Sequence, residues 1–317
     1  MKRAIRSAIV TGGLGFLGSH LVDRLVQEDM RVTVIDNQST GSTANVAHHE
    51  TRITQVNWDV SSPWPDNLVP KDIDVLFHLG SPASPHHYQR LSIPTLLTNS
   101  YGTRNALDWC RRAQARFLFA STSEVYGDPD ISPQSESYWG RVNPVGPRAC
   151  YDESKRFGEA LTMEYVRQLQ VDARIVRLFN CYGPRMHPDD GRVISTFIVQ
   201  ALAGKPLTIF GTGEQTRSFC YVSDMVEAIW RAATLDAAGG EIINIGNPRS
   251  ITIRDLARLI CDLAGVEHKI EYHALPEDDP TNRCPDVTKA ERILAWRPST
   301  ELPDGLRQTL EYVRQHL

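Results

Sequence analysis

The sequence has little that would carry it to a polyanion or into a membrane. Thirty-four Lys and Arg stand against 38 Asp and Glu, a formal net charge of −4, and no basic block exceeds a dipeptide beyond Lys2, Arg3 and Arg6. A role on nucleic acid or on a membrane surface is therefore not expected. The apolar stretch behind those first cations runs only from Ala8 to Val10 before glycines interrupt it. It is too short for a signal peptide, and no later run approaches the roughly 20 apolar residues of a membrane helix, so a cytoplasmic protein is expected. Cysteine is scattered: the six at 110, 150, 181, 220, 261 and 284 lie more than twenty residues apart. That fits neither a CxxC redox pair nor a zinc knuckle and leaves reduced thiols, with Cys150 read as a small buried core residue. The adjacent pairs His48-His49 and His86-His87 lack a third ligand at helical spacing, so no metal is expected. Repeats and low-complexity tracts are absent too.

What remains is an ordinary globular chain. Its 317 residues, 41% of them apolar, suggest about two domains or one large one, and can bury roughly three quarters of the unfolded surface without disulfides or metal. Residues 5–10 form a short β-branched apolar run, followed by Thr11-Gly12-Gly13-Leu14-Gly15-Phe16-Leu17-Gly18 and a helical pattern through Leu21, Leu25 and Val26. That order is strand, glycine turn, helix. Further apolar runs at 32–35, 75–78, 117–120 and 174–178 alternate with helix-length segments such as 95–112 and 154–170. The alternation predicts an α/β fold: a Rossmann-type, doubly wound, mostly parallel sheet covered on both faces. After about residue 180 Gly and Pro cluster and the helical stretches shorten, which suggests a second, smaller domain. Residues 218–222 and 241–245 again read as strands around a helix at 223–233, so the chain is expected to re-enter the first domain there. The expected division is 1–180, with a return at about 215–246, for the first domain and mainly 181–317 for the second, interleaved with it.

Gly12, Gly15 and Gly18 form G-x-x-G-x-x-G, a variant of the dinucleotide fingerprint in which glycines allow a tight turn and close approach of a pyrophosphate. The diphosphate would sit on the helix N-terminus, where amide N–H groups favour negative charge. Glycines alone also simply make turns, but these lie between strand and helix, with Asp36 ending the next strand 18 residues after Gly18. Asp36 can accept from both ribose hydroxyls and would repel a 2′-phosphate. Asn37 and Gln38 follow it, not Arg, so NAD is favoured over NADP. Tyr151 and Lys155 are four apart in a strong helical segment and share a face. A tyrosine with an ordinary pKa of about 10 needs a shift of about 3, worth about 4 kcal/mol of nearby positive charge, to act as a base near neutrality. Taken alone, such a pair more often forms a solvated helix face. Behind a dinucleotide fingerprint, and with Ser121-Thr122-Ser123-Glu124 just after a strand, it reads as a proton-transfer site.

The segments TGGLGFLGSHL, ASTSEVYGDP, NPVGPRACYDESKR, RLFNCYGPRM, DDGRVISTF, QTRSFCYVSD and PEDDPTNRCPD, in this order, resemble the extended short-chain dehydrogenase/reductases, and among them the UDP-glucuronate decarboxylases. The resemblance runs from about residue 5 to residue 313. It implies oxidation of the sugar C4 hydroxyl with Tyr151 as base and NAD as hydride acceptor, loss of CO2 from the resulting β-keto acid, reprotonation at C5, and return of the hydride so that NAD is regenerated. By the resemblance, Thr122 hydrogen-bonds the C4 oxygen, Ser123 and Glu124 act around the decarboxylating carbon, and Arg283 reaches the carboxylate. The plain alternative for Arg283 is a pair with Asp286. Asn180, Phe210 and Arg217 look like nucleotide-sugar contacts, the forked guanidinium of Arg217 suiting a diphosphate. Phe16, Leu17, Asn37, Asp59, Val60, Leu79, Ser81 and Thr98 are expected to line the cofactor site with the three glycines and Asp36. The family also implies a homodimer in which the helices at 95–112 and 154–170 pair into a four-helix bundle.

Departures from the family pattern are Leu14 for Ala, Ser154 for Gly, Cys181 for Thr, Cys284 for a basic residue and Leu97 for Lys. The last two are expected to thin the positive charge near the substrate. Rival readings are a nucleotide-sugar 4-epimerase, a 4,6-dehydratase, which needs an acid where Ser123 stands, and an enzyme that releases the 4-keto pentose with NADH. From another class, a dinucleotide-sensing regulator would be expected to have lost Tyr151 or Lys155.

Overall fold

The structure of the protein, a computed structural model, describes residues 5–275 and 282–316. Lys2, Arg3 and residues 276–281 of the PEDDPTNRCPD segment therefore lie outside the described residues. The first apolar run becomes strand β1 (Ser7–Thr11), every residue of it buried. It is followed by β2 (Arg31–Asp36), β3 (Ile53–Asn57), β4 (Val75–His78), β5 (Arg116–Thr122) and β6 (Ala173–Leu178). With strand Ile242–Ile245 these make a seven-stranded sheet in the order Ile242–Ile245, β6, β5, β4, β1, β2, β3, every pair parallel. Unbroken apolar runs form these strands because helices cover both faces, so neither side can be polar. β3 escapes the sequence reading because Ile-Thr-Gln-Val-Asn is an edge strand without an apolar run, exposed at Thr54, Gln55 and Asn57.

The strand order reverses between β1 and β4, and a crevice opens at their carboxyl ends, the place where ligands of doubly wound sheets sit. Gly12 has φ +70°, and a Cβ there would lie 2.7 Å from the Gly80 Cα. A Cβ on Gly18 would come within 2.1 Å of the Gly12 carbonyl oxygen. Glycine at these two positions lets β1, the turn and helix Phe16–Gln27 close together.

The helix expected at 95–112 is a compound of helix Ser92–Leu97, a π-turn Thr98–Gly102 and helix Thr103–Ala113. Asn99, on the wide turn, donates to the hydroxyls of Ser81 and Ser154, both at 3.0 Å. The turn is thus held against the crevice and against helix Ala149–Leu169; such π-turns recur at functional sites. That long helix begins before the expected residue 154, because the Tyr151 and Asp152 amides already donate to the Arg148 carbonyl. Ser154, where the family has Gly, bonds back to the carbonyls of Cys150 (2.6 Å) and Tyr151 (3.0 Å).

The return of the chain differs from the expectation in one respect. Residues 218–222 do not add a strand to the large sheet. Thr216–Ser218 pairs with Ser250–Thr252 and Asn282–Arg283, and Cys220–Tyr221 pairs with Cys181–Tyr182. Re-entry is made by helix Val222–Thr234, packed on β5 and β6 and beside helix Phe16–Gln27, and then by Ile242–Ile245. The short aromatic run has the pattern of a sheet strand, and local pattern does not name the partner. Helices Val193–Leu202, Ile253–Ala264 and Leu302–His316 pack together as the body of the second lobe.

Candidate active site

A cavity of about 990 Å³ lies between the crevice and the second lobe, and every site residue anticipated from the sequence lines it. At one end are Gly12, Gly15, Phe16, Leu17 and Gly18 of the β1 turn, Asp36 and Asn37 at the end of β2, Asp59 and Val60 after β3, Leu79 and Ser81 after β4, and Thr98 on the π-turn. The first amides of a helix have no intrahelical acceptor, which suits a diphosphate at the start of Phe16–Gln27. Asp36 is buried; its Oδ2 accepts from the Leu14 amide (3.0 Å) and its Oδ1 from that of Gln38 (2.8 Å). Burial raises its carboxyl above the ordinary range and these two bonds oppose the rise. The neighbouring wall is Asn37, Ser39, Thr40, Ser42 and Asn45, while the cationic side chains on the cavity, Arg148, Lys155, Arg185, Arg192, Arg217 and Arg283, all come from other segments. A glycine cradle that a Cβ would fill, with a carboxylate and no cation beside it, fits NAD and disfavours a 2′-phosphate.

Thr122 ends β5 and lines the cavity. Its hydroxyl accepts from the Glu124 amide (3.2 Å), and the Tyr151 phenol is hydrogen-bonded to it. Burial pushes that phenol above its ordinary range, the Thr122 bond opposes this, and the charges of Glu124 and Asp152 push it further up. The Tyr88 ring stacks parallel on Tyr151 at 4.9 Å. Lys155 donates from Nζ to the Ala120 carbonyl (2.8 Å) and lies 4.9 Å from the Phe119 ring. Burial pushes its ammonium down to about 7, with only Glu159 opposing. In the protein alone the Tyr151 phenol therefore stands above its ordinary range, because desolvation outweighs the Thr122 bond.

Ser123 is buried beside Glu124. The Glu124 carboxylate is gripped from two sides: Arg148 Nη2 donates at 2.7 Å, Arg283 Nη2 at 2.9 Å, and Arg283 Nη1 donates to the other oxygen. Although burial alone would raise it, these guanidiniums hold the carboxyl down at about 2. Arg283 thus pairs with Glu124 and not with Asp286, which accepts from the Thr288 amide. Asn180 reaches toward the Ser218 carbonyl (3.4 Å), Phe210 is half exposed, and Arg217 donates to the Thr216 carbonyl (2.9 Å).

Sequence reasoning missed Arg148, Arg192 and Tyr88. Arg148 stands three residues before Tyr151, a visible signal; Arg192 is held by Asp190 (2.6 Å) and lies 5.8 Å over the Phe16 ring, a meeting that only the fold produces. Leu97, on the outer helix face, and Cys284, which donates to the Pro248 carbonyl (3.3 Å), do not line the cavity. Cys181 does line it, its thiol pushed up to about 12 by burial. Cys150 is only half buried, donating to the Tyr88 carbonyl (3.5 Å), and all six cysteines are free. Folding does bring a third donor to one histidine pair: Asp23 Oδ1 lies 2.8 Å from His48 and 3.1 Å from His49, with Asp23 Oδ2 on Arg185 of the cavity wall.

The model of the NAD dependent epimerase/dehydratase family matches residues 8–246. UDP-glucuronic acid decarboxylase 1 of Xenopus tropicalis is 47% identical over 312 residues, covering 98% of this chain and 72% of the relative. UDP-glucuronic acid decarboxylase 6 of Arabidopsis thaliana is 48% identical over 301 residues, covering 94% and 86%. Among solved structures, a UDP-glucuronic acid 4-epimerase from Bacillus cereus, in complex with UDP-glucuronic acid and NAD, superposes with a TM-score of 0.85 at 29% identity, covering 98% of this chain and all of that one. DesIV, a dTDP-glucose 4,6-dehydratase from Streptomyces venezuelae with NAD and TYD bound, gives 0.87 at 28%, covering 98% and 97%. With the glycine turn, Tyr151, Lys155 and the Glu124–Arg283 pair in one cavity, the chain belongs to the NAD dependent epimerase/dehydratase family and, within it, groups with the UDP-glucuronic acid decarboxylases.

Proposed function

We propose that this protein decarboxylates UDP-glucuronate to UDP-xylose and regenerates its NAD in each cycle. The observation that carries the reading is the junction of two devices in one cavity: a Thr122–Tyr151–Lys155 proton site and, beside it, a Glu124 carboxylate shared by Arg148 and Arg283. With NAD seated along Gly12–Gly18 and on Asp36, the chemistry it supplies is acceptance and later return of the hydride at sugar C4. Tyr151, fixed by Thr122 and by its stack on Tyr88, takes the C4 hydroxyl proton. The C4 ketone then lies β to the C5 carboxylate, so the electrons of the breaking carbon–carbon bond flow into an enolate as CO2 leaves. Arg283 and Arg148 offer the guanidiniums that orient that carboxylate, C5 takes up one proton from solvent on the side that Ser123 and Glu124 border, and Tyr151 returns its own proton to the C4 oxygen. Asn180, Phe210 and Arg217 form the wall assigned to the nucleotide diphosphate. In this reading the residues up to 180, with helix Val222–Thr234 and strand Ile242–Ile245, hold the cofactor, and the rest of 181–317 mainly holds the nucleotide sugar.

Two further expectations join the proposal. A homodimer is supported by a stripe of exposed apolar side chains, Ile93, Leu97 and Tyr101 at four-residue spacing with Phe157 on helix Ala149–Leu169. Six free cysteines suit a reducing compartment, the cytoplasm. No helix of the described residues is long and apolar enough to cross a membrane. Incubation with UDP-glucuronate and NAD tests the function: CO2 release without a lasting NADH band is expected. A lasting band would favour release of a 4-keto pentose, and absence of CO2 would refute decarboxylation.

A further inference from the structure

Asp23 lies on helix Phe16–Gln27, and His48 and His49 end the 3-10 helix Thr43–His49. Spacing along the chain leaves this histidine pair without a third ligand, and the packing of the two helices supplies one. His48 Nε2 and His49 Nε2 converge on a single oxygen, Asp23 Oδ1, at 2.8 Å and 3.1 Å. The three atoms all lie within 4.8 Å of one another. The other oxygen, Oδ2, is on Arg185 at 2.8 Å, which fixes the carboxylate. An outer partner of that kind is what orients a ligating carboxylate.

A tetrahedral ion with nitrogen and oxygen ligands at about 2.0–2.2 Å holds its ligand atoms roughly 3.4 Å apart. The two separations from Oδ1 are shorter than that, so the side chains need to open by only about 0.3–0.6 Å to admit an ion where hydrogen bonds now run. The donor set decides the kind of ion. Ca2+ and Mg2+ take oxygen ligands, several of them at once, and only one carboxylate enters this cluster. Two imidazole nitrogens with one carboxylate oxygen suit Zn2+ and its neighbours Co2+, Ni2+ and Cu2+. The His48 side chain is 48% exposed, which gives an ion a way in and leaves a fourth position to water.

We propose that Asp23, His48 and His49 form a binding site for one divalent transition-metal ion of the zinc class. None of the three residues lines the cavity, so the ion takes no part in the chemistry there. Its place is that of a clip. It ties the helix that carries Phe16 and Leu17 to the segment that carries Ser42 and Asn45, two walls of the cofactor end of the cavity. Binding to the folded chain alone stabilises it, because the unfolded chain does not hold the three donors together.

Untagged protein, stripped with EDTA and desalted, is titrated with Zn2+ by calorimetry and with Co2+ as the spectroscopic probe. One equivalent of either ion is expected to bind, with visible Co2+ bands, no near-ultraviolet sulfur charge-transfer band, and a Tm that rises with Zn2+. His48→Gln and His49→Gln should each weaken Zn2+ by on the order of tenfold or more and lose the Co2+ bands, while the circular dichroism of the metal-free variants stays that of the parent. Absence of Zn2+ binding by the unmodified protein overturns the inference. A sulfur band overturns it too, since it would put the ion on a cysteine, and so does Zn2+ binding that neither substitution changes. Mg2+ binding as tightly as Zn2+ would overturn the assignment to imidazole nitrogen. If one variant does not fold, the other and the Co2+ spectrum of the unmodified protein decide. No readout involves turnover of a sugar, so failure here leaves the functional reading intact.

Discussion

Replacing Glu124 by Gln removes one charge from the centre of the site while keeping shape and one acceptor oxygen. Both carboxylate oxygens are in use, and the side chains of Glu124, Arg148 and Arg283 are 14%, 11% and 5% exposed, so water screens the pair weakly. Taking one partner out of such a buried pair leaves the other side uncompensated and typically costs about 3–5 kcal/mol. Gln still accepts one hydrogen bond, which places the expected loss near 3 kcal/mol, roughly 6–12 °C in Tm at about 2–4 °C per kcal/mol. Because the folded-state carboxyl is held down at about 2, its contribution is complete above the ordinary carboxylate range and is lost only as pH falls toward about 2. Unfolding measured near neutrality therefore reads it in full. Arg283→Met should cost less than Glu124→Gln, because Arg148 still holds the carboxylate. The double variant should then recover part of the sum, with a coupling of about 0.5–3 kcal/mol. Urea unfolding of the four proteins, followed by circular dichroism and by tryptophan fluorescence, measures this cycle. Stability of Glu124→Gln within about 0.5 kcal/mol of the unmodified protein, or strict additivity, would refute the reasoning. The same variants test chemistry: Glu124→Gln should slow the steps after oxidation most, so that a NADH band builds in a single turnover, and equal slowing of both phases would remove Glu124 from the decarboxylating step.

Tyr151→Phe should lose roughly 100-fold or more of turnover while still binding NAD, as only the phenol oxygen is removed; near-normal CO2 release would sink its role as base. Asp36→Ala should weaken NAD and narrow the discrimination against NADP, seen by fluorescence titration with both, whereas equal use of the two by the unmodified protein would contradict the Asp36 argument. Burial holds the folded Lys155 at about 7, below its unfolded value, so the unfolded chain binds that proton more tightly and stability should rise as pH climbs from about 7 toward 10. Lys155→Met should accordingly be inactive yet more heat-stable than the parent at about pH 6, with the gap closing in alkali; a gap independent of pH would show that Lys155 is not desolvated as described. Light scattering at micromolar concentration should give a dimer mass, and Tyr101→Glu should yield monomers; a fully active monomer of the unmodified chain would remove the dimer from the proposal.

Local pattern was enough for the frame of this protein. Apolar runs flanked by glycine and followed by helical spacing specify buried parallel strands, since such runs have no polar face to give to water, and β1, β2, β4, β5 and β6 formed where they predict. Spacing along one helix likewise paired Tyr151 with Lys155, and the Gly12–Asp36 interval marked a cofactor crevice, because both are short-range relations. The outer strand β3 was invisible because an edge needs no apolar run. Pairings between distant segments were equally hidden: Glu124 meets Arg283 across 159 residues, Arg192 reaches Phe16, and the aromatic run at 218–222 splits between two small sheets. The sign of each titration was decided at the same level. Nothing in the order of residues shows that Lys155 is driven toward neutrality, that Glu124 is held ionised, or that Oδ1 of Asp152 is buried without a hydrogen-bond partner, since each depends on how much water the fold removes and which charges it brings near.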